Sequence, residues 1–266
     1  MTNSSLSENN DELPVDPWTS LRRFTGARIG LGRAGAGIPT GETLRFKLAH
    51  AQARDAVHAE LDVAKLIEEL HPLHQQVLTL HSAAKDRSEY LRRPDLGRRL
   101  DEPSRELLAA QPQNDPDLAI VIADGLSALA IEMNVKRFLE AFLPLVSTWK
   151  IAPICIVREG RVASGDEAGH LLGAKCLAML IGERPGLSSP DSMGIYLTYG
   201  PTPGFTDERR NCISNVRDAG LSHTAAAAKL AYLAGEALRR QLSGVDLKDD
   251  MPQEASLPCA TPTALK

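Results

Sequence analysis

A chain of 266 residues, with 43% apolar and 24% charged side chains, has the make-up of a folded protein of one or two domains at about 150 residues each. At this size roughly 70–75% of the unfolded surface can be buried, so no disulfide framework is required. The formal charge of −4 and an aromatic content of only 4% argue against a nucleic acid, an anionic membrane surface or a base-stacking platform. Residues 1–15 are polar and acidic with almost nothing to bury, which predicts a disordered tail. They lack the basic start and apolar stretch of a signal peptide.

Residues 16–111 are expected to form a helical N-terminal domain. Asp16 and Pro17 supply a cap and a first helical position. Arg28-Ile-Gly-Leu-Gly-Arg-Ala-Gly-Ala-Gly37 is too rich in glycine for a helix interior. Residues 41–70 carry Leu44, Leu48, Ala51, Ala56, Ala59 and Val63 near helical spacing, and after a break at Pro72 residues 73–84 resume a helical pattern.

From 112 to 248 the character changes. Leu118-Ala-Ile-Val-Ile-Ala123 is a short apolar run between Asp117 and Asp124, the pattern of a strand buried on both faces. Ser127 is placed to cap a helix starting at Ala128 and running to about Leu145. Further strands are expected at 154–158, 176–181 and 193–198, with a short helix at 166–174 and a long alanine-rich helix at 224–242, stopped by Gly244. Alternating strands and helices predict an α/β domain with a doubly wound, mostly parallel, Rossmann-like sheet. Residues 249–266, with three prolines, are expected to form a second disordered tail. The longest apolar runs fall far short of the roughly 18 residues of a membrane-spanning helix. The four cysteines, Cys155, Cys176, Cys212 and Cys259, are scattered without a C-x-x-C pair, which excludes a zinc knuckle and points to a reducing cytosol.

In such sheets ligands bind beyond the carboxyl ends of the strands. That rule selects Asp124-Gly-Leu-Ser127, Gly182-Glu-Arg-Pro-Gly-Leu187 and a long loop from Gly200 to Asn215 that ends in Cys212-Ile-Ser-Asn215. Glycines there admit a ligand to the backbone, and the polar groups orient it. A plainer reading is that Asp124 and Glu183 only cap helices or turns. Other motifs carry less. Gly32-Arg-Ala-Gly-Ala-Gly37 has the wrong order for a dinucleotide loop. His71 and His74 lack a matching carboxylate or thiolate, so a solvated helix face explains them better than a metal. The pairs Arg92-Arg93 and Arg98-Arg99 form a basic cluster better suited to an interface or plain surface than to an anion site. No Ser-His-Asp or Cys-His set stands in an elbow motif. His170-Leu-Leu-Gly173 supplies the H-x-x-G half of the D-x-H-x-x-G cobalamin signature, but position 168 is alanine.

Asp95-Leu-Gly-Arg-Arg-Leu100, Val121-Ile-Ala-Asp-Gly-Leu-Ser127, Leu171-Leu-Gly-Ala-Lys175, Gly182-Glu-Arg-Pro-Gly-Leu187 and Cys212-Ile-Ser-Asn215, in that order, resemble the small (light) subunit of ethanolamine ammonia-lyase. The resemblance covers roughly residues 16–248. It implies a subunit of an adenosylcobalamin-dependent lyase that converts ethanolamine to acetaldehyde and ammonia. The large (heavy) subunit, a β/α barrel in a higher hetero-oligomer, would carry the substrate site and the radical chemistry. This chain would pair its helical part with a cobalamin-binding part closing over the corrin. In this family the cofactor keeps its own base on cobalt, so the missing D-x-H-x-x-G is no objection. Three cofactor contacts carry over: Val162 in Gly160-Arg-Val162, Glu183 in G-E-R-P-G and Cys212 in C-I-S-N. Valine would offer apolar contact and glutamate an acceptor for amides or a ribose hydroxyl; Cys212 would be a small, weakly polar neighbour rather than a nucleophile. No catalytic acid, base or nucleophile is placed in this chain, and no metal ligand. The location implied is free cytosol or a bacterial microcompartment; no amphipathic targeting stripe is visible in the first fifteen residues. Two alternatives fit the sequence less well. A stand-alone Rossmann-type nucleotide-binding enzyme needs a G-x-G-x-x-G loop after the first strand, which is lacking. A pure scaffold gives no reason for polar clusters at several strand ends.

Overall fold

The computed structural model describes residues 16–74, 76–112 and 114–252. The tail expected at 1–15, and residues 253–266 of the tail expected at 249–266, lie outside the described residues. Of the C-terminal stretch that is described, Asp249 is ion-paired to Lys229. The chain divides into two units, and each is described by itself.

The smaller unit comprises residues 16–53 and 186–188 among those described. A 3-10 helix, Pro17–Phe24, starts at Asp16, whose carboxylate accepts from the Trp18 amide at 2.9 Å. The glycine-rich segment that follows is irregular, as its composition predicts, with Gly30, Gly32 and Gly35 at positive φ. Helix α1, Thr40–His58, begins here. Trp18, Phe24, Ile38, Leu44 and Leu48 are each at least 59% exposed, so this unit leaves large apolar side chains uncovered.

The larger unit holds α2 (Val63–Leu70), β1 (Val77–His81), α3 (Arg87–Arg92), α4 (Glu102–Ala109), β2 (Leu118–Ala123), α5 (Ala128–Phe142), β3 (Ile154–Arg158), α6 (Val162–Leu171), β4 (Cys176–Gly182), β5 (Met193–Tyr199), β6 (Arg210–Val216) and α7 (His223–Arg240). One six-stranded sheet has the order β1-β3-β2-β4-β5-β6. The first four strands are mutually parallel; β5 runs antiparallel to both β4 and β6. The sheet is therefore mixed. The expected mostly parallel order holds on one side only, because β4 returns through the short connection 183–192 straight into β5 instead of through a crossover helix.

Two further expectations are corrected. Residues 73–84 are not helical: Val77–His81 is β1, an edge strand paired with β3. Apolar residues at 73, 77 and 80 suit a helix as well as a strand, and a run this short does not decide between them. Cys212-Ile-Ser-Asn215 is not the end of a loop but part of β6.

The interior strands β2 and β4 are buried along their whole length, which is why they lack alternation. On one face Ile120, Ile122 and Ile195 pack with Leu66 of α2, Phe138 of α5 and Leu230 of α7. On the other, Val121 and Met179 pack with Leu108 of α4 and Ala168 of α6. Ser127 caps α5 as expected, accepting from the Ala130 amide at 3.2 Å. The alanine-rich α7 ends at Gln241 in the left-handed region (φ 58°).

Candidate functional site

The carboxyl ends of β2 and β3 are where the strand-order rule looks first, because α5 and α6 leave them on opposite faces. That crevice is filled by the protein itself. Arg87, at the start of α3, reaches in. Its Nη1 donates to Asp124 Oδ2 at 3.1 Å, to Glu159 Oε2 at 3.1 Å and to the Gly125 carbonyl at 2.9 Å. Its Nε donates to the Val57 carbonyl at 2.8 Å, and its Nη2 is buried without a partner. Asp124 also accepts from the Gly160 amide at 3.1 Å, and the Tyr90 hydroxyl donates to the Gly160 carbonyl at 3.1 Å. Burial, then the neighbouring Glu159 charge, pushes the Asp124 carboxyl up to about 7 against the pull of Arg87. Two glycines bring β2 and β4 together here. A Cβ on Gly125 (φ +56°) would stand 2.3 Å from the Gly182 carbonyl, and one on Gly182 would stand 2.1 Å from that of Ser127.

The open ground lies on the other side of β4. Here α6 reaches the far end of β5 and β6, where its Asp166 accepts from the Thr198 hydroxyl and pairs with the buried Arg210. Tyr196 of β5 is half-buried, and Cys212 of β6 is exposed beside it. Tyr196 and Cys212 are partners across the β5–β6 ladder; burial, reinforced by Cys212, pushes the Tyr196 phenol up to about 12. Desolvation pushes the Cys212 thiol up too. Tyr196 pulls it part of the way back and the Glu183 and Asp207 carboxylates add to the rise, so the thiol stays protonated at neutral pH.

Glu183 follows directly on β4. Its Oε2 accepts from the Ser192 hydroxyl and, at 3.3 Å, from the Asn215 amide. No described partner engages Oε1. That oxygen lies 3.0 Å from where a Cβ on Gly194 would stand, so a larger residue there would press on the carboxylate. Asn215 sits in a β-bulge, with φ 60°, where the register between β5 and β6 slips. Such bulges re-aim strand-edge groups beside sites.

Val162 opens α6. Together with Ala163, Tyr196 and Phe205 it lines a cavity of about 280 Å³, walled also by Arg98, Arg161 and Arg210. Arg210 is almost fully buried, ion-paired to Asp166 and, at 2.8 Å, to Asp207. Burial raises the Asp166 carboxyl and Arg210 pulls it back.

The three sequence-predicted residues therefore meet around one side chain. Val162 shares the cavity with Tyr196, Cys212 is its partner across the β5–β6 ladder, and Glu183 is close enough for its charge to act on both Tyr196 and Cys212. Asp124 is not with them: it is 2% exposed and spent on Arg87. The loop after β5 is displaced as well, since an antiparallel strand puts its carboxyl end beside the start of β4; it is the end of β6 that returns to Gly182 and Glu183. Sequence reasoning missed Tyr196, Gly194 and Arg161. The last leaves a trace: α6 starts on an arginine with no side-chain cap, where Ser, Thr, Asp or Asn is usual.

Comparison with known proteins gives one consistent result. A family model described as ethanolamine ammonia-lyase light chain (EutC) matches residues 15–248. The chain is 56% identical over 242 residues to the ethanolamine ammonia-lyase small subunit of Pseudomonas putida, covering 89% of each chain. It is 53% identical over 253 residues to that of Ralstonia nicotianae, covering 92% of this chain and 94% of the relative. For that of Pseudomonas syringae pv. tomato the identity is 51% over 256 residues, with 94% and 89% covered.

Proposed function

The chain belongs to the ethanolamine ammonia-lyase light-chain family, and on that premise we propose that its β4–β6 face binds adenosylcobalamin against the large subunit, in an enzyme that converts ethanolamine to acetaldehyde and ammonia. The observation that carries the reading is the convergence of Val162, Glu183 and Cys212 on Tyr196, beside the exposed residues 212, 214 and 215 of β6. The donor set suits a corrin, a broad apolar disc rimmed by neutral amides. Val162 and the Tyr196 ring give apolar contact. The uncommitted Oε1 of Glu183 accepts from an amide N–H. The protonated thiol of Cys212 presents no charge to an uncharged rim. When bound, the cofactor supplies the radical chemistry; this chain's residues bind, orient and exclude water.

The large subunit is the partner. The uncovered apolar side chains of the smaller unit, Trp18, Phe24 and Leu44 among them, are surface that a partner chain would bury. Among the described residues no helix is long and apolar enough to cross a membrane. Enclosure in a microcompartment or freedom in the cytosol is decided by fractionation.

The test is co-expression with a large subunit, then spectroscopic titration of adenosylcobalamin and assay of acetaldehyde release. The complex is expected to bind the cofactor and turn over, and this chain alone to show no activity. Glu183→Ala should weaken cobalamin binding by about 1–3 kcal/mol, roughly 5- to 150-fold, with the fold intact. Unchanged affinity would overturn the assignment.

A further inference from the structure

We infer that the cavity at the start of α6 is an anion subsite whose occupant is a phosphodiester, the singly charged phosphate in the nucleotide tail of the bound cofactor. The inference rests on the cobalamin reading above and adds to it a group of residues that the three carried-over contacts do not include.

Four observations converge. First, α6 is a ten-residue helix whose N-cap, Arg161, makes no side-chain cap hydrogen bond, and whose first two residues, Val162 and Ala163, line the cavity. Uncapped first-turn amides are donors, and the helix dipole favours negative charge there. Second, three guanidinium groups wall the same space, from Arg98, Arg161 and Arg210. Third, the Nε atoms of Arg161 and Arg210 are buried without a hydrogen-bond partner, and Arg98 makes no described ion pair. Arg161 is held instead over the Tyr90 ring, 4.5 Å from its centroid, which fixes its guanidinium without neutralising it. An arginine fork left with unused donors is the usual partner of a phosphate. Fourth, charge selects the class of anion. Asp166 and Asp207 both pair with Arg210. Three guanidiniums against two carboxylates leave one positive charge, which matches a diester better than a doubly charged phosphate monoester. The basic pair at Arg98-Arg99, which as sequence looked like plain surface, thus acquires a role. Its first member is carried to the cavity rim by the 3-10 turn Leu96–Arg98, whose Gly97 carbonyl accepts from the Arg161 amide at 2.8 Å.

The test uses the two-subunit complex and two cofactor forms: adenosylcobalamin, and adenosylcobinamide, which has the same corrin but neither nucleotide nor phosphodiester. Arg98→Gln removes an exposed charge with no structural partner, so its fold is expected to be unchanged; Arg161→Gln is the second variant. Each should weaken adenosylcobalamin binding about tenfold in a spectroscopic titration, leave adenosylcobinamide binding as in the wild type, and reduce the salt dependence of cobalamin binding. Equal losses for both forms, or none for either, would overturn the inference. Inorganic phosphate is the third probe. If it binds the cofactor-free complex through Arg98 and Arg161 while both variants bind cobalamin normally, the cavity serves a free anion and the tail assignment fails. Glu183→Gln separates the two levels. It should weaken both cofactor forms; if it weakens neither, the cobalamin reading itself falls, whatever the arginines do.

Discussion

Two ends of the same sheet offer a glycine-flanked carboxylate to their surroundings, and they have opposite fates. At β2–β3, Asp124 is 2% exposed, held by Arg87 and the Gly160 amide, with Glu159 on the same guanidinium. At β4–β6, Glu183 is half-buried and commits one oxygen to Ser192 and Asn215, leaving the other without a described partner. The topological rule favours the first place. The chain closes it with an arginine from outside the strand–helix alternation. A polar group at a strand end becomes a binding group only where the fold has not already used it, and a pattern of residue types does not show which have been used.

The sharpest way to break the contrast is to unseal the closed end. Arg87→Met leaves Asp124 and Glu159 buried without their cation, and is expected to destabilise the fold by about 3–5 kcal/mol, read from the urea midpoint at pH 7. Adding Asp124→Asn and Glu159→Gln should restore much of that loss, since the penalty is the uncompensated charge. A midpoint that does not move in the single variant would mean the crevice is solvated, and the closed end would be open to ligands after all.

How much of this was legible beforehand follows the same division. The buried runs at 118–123 and 176–181, the Ser127 cap and the long α7 were plain because composition and periodicity carry them. The reversal at β5 was not, because nothing in Met193-Gly-Ile-Tyr-Leu-Thr198 records strand direction; direction follows from the short connection before it. Val162, Glu183 and Cys212 came from family resemblance. Their meeting point, Tyr196, looked like an ordinary strand aromatic, and its place depends on the pairing of β5 with β6. Arg87 was invisible for a related reason: its partners are 37 and 72 residues away.

A smaller effect gives the closed end a signature in pH. Asp124 rises from 3.8 to about 7 on folding. Between those values the folded protein holds a proton that the unfolded chain has released, so stability is fully present below about pH 4 and is lost as pH rises through 7. Urea midpoints should therefore fall between pH 5 and pH 8 by the equivalent of about 2–3 kcal/mol in the wild type. Asp124→Asn should remove most of that slope. A slope that survives Asp124→Asn would place the titrating group elsewhere, and the closed end would lose its distinguishing property.

The smallest predicted effect compares one substitution made at both places. Val157 is fully buried in β3, while Val162 is half-buried at the cavity mouth. Valine to alanine removes the same two methyl groups in each. At Val157 the methyls pack against other chain atoms, so the loss falls on folding: about 1–2 kcal/mol in the urea midpoint, with cobalamin affinity of the complex unchanged. At Val162 part of the apolar surface faces the cavity, so the loss falls on binding: about 1 kcal/mol, or roughly fivefold in cofactor affinity, with little change in midpoint. If Val162→Ala instead lowers the midpoint and leaves affinity untouched, Val162 packs only against its own chain. The open face would then extend no further than Tyr196, Cys212 and Glu183.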